Sequence, residues 1–342
     1  MQRSTVDLEF GVFDWIDRAG ERPAEFVFDD RLAIARRADE GRFTRYHVAE
    51  HHGAPLGLAA SPALLLAAAA RETRRIRLVP TTFIVPLYDP LRLAEEIGML
   101  ERLAHGRLEI GIGKGSSPIE AAMFGNDAEE TARRYAEHVP AILDALATGE
   151  FAKPDGERIR LFVTPSRVPT VWYPTSNPAS IELAAERGQN TIFGFGFKSP
   201  PLPVIREHRD LYFAKRADMT DDADPRFGIL RHVFVADTDE RAFELAAPAF
   251  EAHYDNFTWL WRTAGGQDFP PAPALEDLVD QHLAFIGSPS SVAAQIADAV
   301  KATGVNYLAG AFSWGTLAVE DALESIDRFD RAVIPAVLAA LE

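Results

Sequence analysis

The 342-residue chain contains no cysteine, which excludes disulfide scaffolds, thiolate metal sites, cysteine nucleophiles and iron–sulfur clusters. Positive charge is scarce: 35 Lys and Arg stand against 51 Asp and Glu, a net charge of −16. Such a surface repels phosphate backbones and anionic lipid, so neither nucleic acid nor membrane is expected as a partner. Long apolar runs are missing too. The longest, Ala63 to Ala70, falls far short of the roughly 18 residues of a spanning helix, and the start, MQRSTVDLEF, has no signal-peptide core. A soluble, cytoplasmic protein is the expectation. What is present is 47% apolar residues, ample for a large core. At this length, two average domains or one barrel of strand–helix units both fit.

Short β-rich runs alternate with helical stretches along the whole chain. Strands are expected at 8–13, 45–50, 76–85, 107–113, 170–174, 190–195, 227–236 and 305–312. Each is trailed by a helical pattern, and two helices open on clear signals. Ser61 is a cap before Pro62, and Asp89 a cap before Pro90. Apolar strands joined by helical crossovers imply a parallel sheet covered on its outside. Eight repeats predict an α/β fold, a (β/α)8 TIM barrel with insertions, with residues 1–342 as a single domain. Residues 149–168 read as a loop with a short extra strand pair. Residues 263–281, with two Gly and three Pro, read as a candidate lid loop.

In a barrel, function sits at the C-terminal ends of the strands. Polar, aromatic and glycine residues collect there, whereas the strand bodies read as aliphatic. The run Gly111-Ile-Gly-Lys-Gly-Ser-Ser117 follows a strand and presents backbone N–H groups, Lys114 and two hydroxyls to an anion. A tight strand-to-helix turn needing small residues accounts for the same run. As a dinucleotide fingerprint it is weak, because Ser116 replaces the third glycine and the ribose-binding acidic residue at a following strand's end is missing. His47-Val-Ala-Glu50-His51 matches a zinc-peptidase pattern. Its flanks favour a strand, which separates the two histidines by roughly 13 Å, so no metal is expected. Arg134 and Glu137 read as a surface ion pair.

Taken together, AEHH (49–52), RIRLVPTTFIVPLYDPLRLAEE (75–96), GRLEIGIGKG (106–115), FG (124–125), SNPAS (176–180), AAERG (184–188), IGSP (286–289) and RFDRAVIP (328–335) resemble the bacterial luciferase-like flavin monooxygenases along essentially the whole chain. The resemblance implies a TIM barrel that binds FMN at its C-terminal face, as a homodimer. It places His51 beside reduced flavin and substrate as the catalytic residue. Thr81 and Thr82 fall under the isoalloxazine ring, where the family often has a non-proline cis peptide. Lys114, Gly115, Ser116, Arg134, Ser176, Asn177 and Ser180 fall around the phosphate, and Phe13, Phe83, Phe195 and Trp314 line the substrate side. Two departures stand out. Gly113 replaces a reactive thiol, and Lys114 replaces an arginine that would grip phosphate bidentately; Arg133 competes with Arg134 for the second phosphate position.

The implied reaction is oxidation of a small apolar or aromatic molecule by dioxygen through a flavin hydroperoxide, with reduced FMN supplied by a separate NAD(P)H:flavin reductase. Two alternatives stay open: hydride transfer with the deazaflavin F420 on the same barrel, and a non-catalytic flavin-binding relative.

Overall fold

The computed structural model describes residues 7–342, apart from 19, 154, 176, 218 and 220–223. In chain order the strands are β1 (Glu9–Asp14), β2 (Arg45–Val48), β3 (Arg77–Pro80), β4 (Phe83–Ile84), β5 (Ile110–Gly113), β6 (Glu150–Ala152), β7 (Arg158–Arg160), β8 (Val171–Trp172), β9 (Thr191–Phe195), β10 (Phe227–Val235), β11 (Ala284–Gly287) and β12 (Tyr307–Ala311). The helices are α1 (Ala24–Glu40), α2 (Pro62–Glu72), α3 (Pro90–Leu103), α4 (Pro118–Met123), α5 (Ala128–Thr148), α6 (Ala179–Glu186), α7 (Leu202–Ala217), α8 (Asp239–Thr263), α9 (Leu275–Asp280), α10 (Pro289–Thr303), α11 (Val319–Arg328) and α12 (Ile334–Leu341).

All eight expected strands form, and they join edge to edge in a parallel ring. β12 pairs β1, β1 pairs β2, and β2 pairs β3. Leu78 bridges Leu108, β4 pairs β5, and β5 pairs β8. Trp172 bridges Asn190, Thr175 bridges Phe193, and β9 and β12 both pair β10. The fold is a TIM barrel whose wall is thin on the β3–β9 side, where two-residue ladders and isolated bridges take the place of longer ladders. Helix starts obey the local rules, with Ser61 accepting from Leu64 N–H and Asp89 from Arg92 N–H.

Four features differ from the sequence expectation. The run 76–85 breaks into β3 and β4 at a cis Thr81-Thr82 peptide. α1 starts at Ala24, a turn ahead of the helix the sequence suggests from about Phe28 to Glu40, and its first turn already buries Val27. β11 and α10 form an extra unit, with β11 pairing the second half of β10; its AFIG run is too short to announce a strand. The segment 263–281 is not all loop: α9 covers Leu275–Asp280 and buries Leu275 and Leu278, and the irregular stretch before it is 264–274. In 149–168 the expected strand pair is the antiparallel β6–β7 hairpin.

Candidate functional site

The barrel interior is where the aliphatic expectation fails. Arg45, His47, Glu109, Trp172 and Tyr307 are all buried there. Glu109 Oε2 accepts from Arg45 Nε at 2.8 Å and from Trp172 Nε1 at 2.6 Å, and Oε1 accepts from Arg77 Nη1 at 2.6 Å. Burial pushes the Glu109 carboxyl up, but Arg45 and these donors prevail and hold it down at about 2. His47 bridges Tyr307 Oη and Thr81 Oγ1, each at 2.7 Å. Burial, and then the Arg45 charge, lower His47 to about 3, so its ring is neutral. Gly11 leaves space for this contact, since a Cβ there would lie 1.8 Å from the Tyr307 hydroxyl.

Through Thr81, this interior network reaches the mouth of the barrel. Gly111 and Gly113 on β5 let the β3–β4 kink pass close by. A Cβ on Gly111 would stand 2.4 Å from the Pro80 carbonyl, and one on Gly113 would stand 2.5 Å from Thr82 Oγ1. The missing thiol therefore has a local reason: the Thr82 side chain occupies its space.

Beyond β2 the chain turns outward and presents two carboxylate–imidazole pairs. His51 Nδ1 lies 3.1 Å from Glu120 Oε1, and the same oxygen accepts from His52 N–H at 3.0 Å. Burial raises the Glu120 carboxyl, but the His51 and His52 contacts outweigh it and hold the group below its ordinary value. Glu50 is buried, with Oε1 2.9 Å from His52 Nε2 and Oε2 accepting from Ile84 N–H at 3.0 Å. His51 itself stays 21% exposed.

Glu120 also lines a cleft of about 410 Å³, with Lys114, Gly115, Ser116, Ser117, Asn126 and Thr131. Lys114 is exposed and makes no ion pair among the described residues. Asn126 Oδ1 and Thr131 Oγ1 are buried without hydrogen-bond partners, although the Asn126 amide is oriented by donation to the Pro86 carbonyl at 3.1 Å. The unpaired Lys114 cation and the Thr131 hydroxyl, which can donate, fit the anionic part of a cofactor, and the Asn126 Oδ1 acceptor fits a donor on its polar part.

The other expected residues scatter. Arg134 is engaged with Glu130 Oε1 at 2.7 Å and is not in the cleft lining. The expected Arg134–Glu137 pair is replaced by Arg133–Glu137, since Arg134 is turned back to Glu130. Asn177 caps the turn into α6, where Ser180 lies in the first turn. Ser176 lies outside the described residues. Phe13, Phe195 and Trp314 fall in one aromatic-rich cluster, but Phe83 packs in the other, edge-on to Tyr88. That first cluster also holds Trp15, which stacks on a buried, neutral His232. Sequence reasoning missed Glu120 as a partner of His51, since 69 residues separate them and no local pattern links them. It weighed His47 only as a metal ligand, and it missed Glu109, whose polar side chain directly precedes β5 in a run that read as core.

Residues 8–307 match the model of a family described as luciferase-like monooxygenase. An uncharacterized protein of Sinorhizobium fredii is 33% identical over 92% of this chain and 93% of its own length. The oxygenase component of a flavin-dependent trigonelline monooxygenase of Acinetobacter baylyi is 28% identical over 73% of this chain and 71% of its own. Among solved structures, the oxygenating constituent of 3,6-diketocamphane monooxygenase of Pseudomonas putida, in complex with FMN, superposes with a TM-score of 0.79 at 23% identity, covering 96% of this chain and 98% of that one. An F420-dependent secondary alcohol dehydrogenase superposes with a TM-score of 0.70 at 17% identity over 96% and 99% of the two chains.

Proposed function

The chain belongs to the luciferase-like monooxygenase family and is an oxidoreductase of that class; from this premise we propose that it is an FMN-dependent oxygenase component acting on a small apolar or aromatic molecule. The observation that carries the reading is His51, paired with Glu120 beside a cleft rimmed by an unpaired lysine. Lys114, Gly115 and Ser116 would hold the cofactor phosphate, with Asn177, Ser180 and the more distant Arg134 as further candidates. Thr81 and Thr82 would support the ring. Bound reduced FMN would supply activated dioxygen for transfer of one oxygen atom.

The chain's own residues do the rest. His51 Nε2, which has no hydrogen-bond partner among the described residues, holds or returns the proton that oxygen transfer requires. Phe13, Phe195 and Trp314 keep the substrate side apolar and exclude water; Phe83 supports them from the outer core. Residues 264–274, next to α9, act as the lid. A separate flavin reductase supplies reducing equivalents, a reading supported by the relative that is itself an oxygenase component. Exposed Leu64 on α2 and Met99 and Leu103 on α3 offer an apolar face for a homodimer. No helix of the described residues is long and apolar enough to cross a membrane, in keeping with a cytoplasmic protein.

A second reading, hydride transfer with F420, is kept because a fold neighbour uses that cofactor. Anaerobic fluorescence titration with reduced FMN and reduced F420 separates them. FMN is expected to bind at least tenfold more tightly; preference for F420, or binding of neither, overturns the proposal.

A further inference from the structure

The contact between His51 and Glu120 has a consequence for which ring nitrogen does chemistry. Glu120 Oε1 accepts from two donors at one point: the main-chain N–H of His52 at 3.0 Å and His51 Nδ1 at 3.1 Å. A main-chain N–H can only donate, and the carboxylate that takes it, ionised under its His51 and His52 contacts, has no proton of its own to give. The His51 nitrogen that shares this acceptor must therefore carry a proton. We infer that Glu120 is the positioning residue of His51, fixing its neutral ring as the Nδ1–H tautomer and leaving Nε2 as the atom that takes and returns a proton. This rests on the proposed role of His51 in oxygen transfer.

The surroundings are built for this geometry. Glu120 is the third residue of α4, whose cap Ser117 accepts from Glu120 N–H at 3.2 Å. A glutamate at this helix position often folds back onto the N–H of the capping residue. Here the side chain crosses to the loop after β2 instead, and it is buried there. Its carboxyl is held in the ionised form by the contacts it receives from His51 and His52, despite burial. On the far side, Gly57 lets the His51 stem lie close, since a Cβ at Gly57 would stand 2.6 Å from His51 Cβ. The imidazole is thus gripped at Nδ1 and crowded at its base. Because α4 follows the 114–117 loop directly, the group that holds His51 is attached to the loop assigned to the cofactor phosphate.

Nitrogen-15 NMR of the histidine rings in the cofactor-free, full-length protein tests this directly, with Glu120→Ala and Glu120→Gln alongside. Wild type is expected to show His51 protonated at Nδ1 in its neutral form. Glu120→Ala should mix the tautomers, and Glu120→Gln should restore the wild-type pattern, because the His52 N–H still demands the amide oxygen at that point. Reoxidation of bound reduced FMN should slow or speed by at least tenfold in Glu120→Ala and stay within about threefold in Glu120→Gln. An Nε2–H tautomer in wild type, a Glu120→Ala spectrum unchanged from wild type, or a Glu120→Gln spectrum as mixed as that of Glu120→Ala overturns the inference. The wild-type spectrum decides even if Glu120→Ala does not fold. Failure of FMN to bind, with the Nδ1–H tautomer present, would instead count against the proposed function alone.

Discussion

His47 and His51 stand four residues apart, and the fold gives them opposite surroundings. His47 ends inside the barrel with both ring nitrogens engaged by hydroxyls, and burial keeps it neutral. His51 lies past the end of β2, held at one nitrogen by a carboxylate, with the other nitrogen open. The first couples strands β2 and β12 to Thr81. The second has the free valence that proton transfer needs. The difference comes from partners: two neutral hydroxyls saturate an imidazole, whereas a single carboxylate orients it.

Four changes press on this contrast. The largest effect is expected from His51→Ala, which should cost about 100-fold or more in product-coupled oxygenation while shifting unfolding by less than about 1 kcal/mol. Full coupling in that variant would remove His51 from the chemistry. Next comes His47→Leu, which strands the Thr81 and Tyr307 hydroxyls in the core and should destabilise the protein by about 2–3 kcal/mol in urea unfolding. A neutral result would mean that the interior bonds carry no net stability.

The third prediction concerns acid. His47 has a folded pKa near 3, below its ordinary 6.5, so the unfolded chain binds the proton first. Stability from this group is therefore complete above about pH 6.5 and falls toward pH 3, with a slope of up to about 1.4 kcal/mol per pH unit. Glu109, held at about 2, adds a second loss of the same sign below about pH 4.5. Urea titrations between pH 7 and pH 4 should show the slope, and His47→Leu should flatten its upper part. The smallest effect is expected from Lys114→Ala, which should weaken FMN binding by roughly threefold to tenfold and leave riboflavin binding unchanged. Equal losses for both ligands would move Lys114 away from the phosphate.

The barrel was legible because its evidence is repetitive. Strand runs such as FGILRHVFV and helix starts such as Ser61-Pro62 and Asp89-Pro90 each obey a local rule, and the fold is built of such units. β11 escaped because four apolar residues carry no period, and the 263–281 segment hid α9 behind its prolines and glycines. Of the site, the AEHH run and the 111–117 loop announced themselves as polar and glycine-rich strand ends. Their connection did not. Glu120, Glu109 and Tyr307 act through contacts across 60 or more positions of sequence, and in their own segments they look like ordinary helix or strand residues. Phe83 shows how little an aromatic at a strand end says by itself: its ring packs in a different cluster from Phe13, Phe195 and Trp314, edge-on to Tyr88.

The central claim is that the His51 end of the barrel manages the meeting of reduced FMN with dioxygen. The most direct test is rapid mixing of the anaerobic complex of protein and reduced FMN with oxygenated buffer, following hydrogen peroxide release. Wild type should release peroxide at least tenfold more slowly than free reduced FMN does, and His51→Ala should release it nearly as fast as free cofactor. Equal release rates from wild type and His51→Ala would contradict the account.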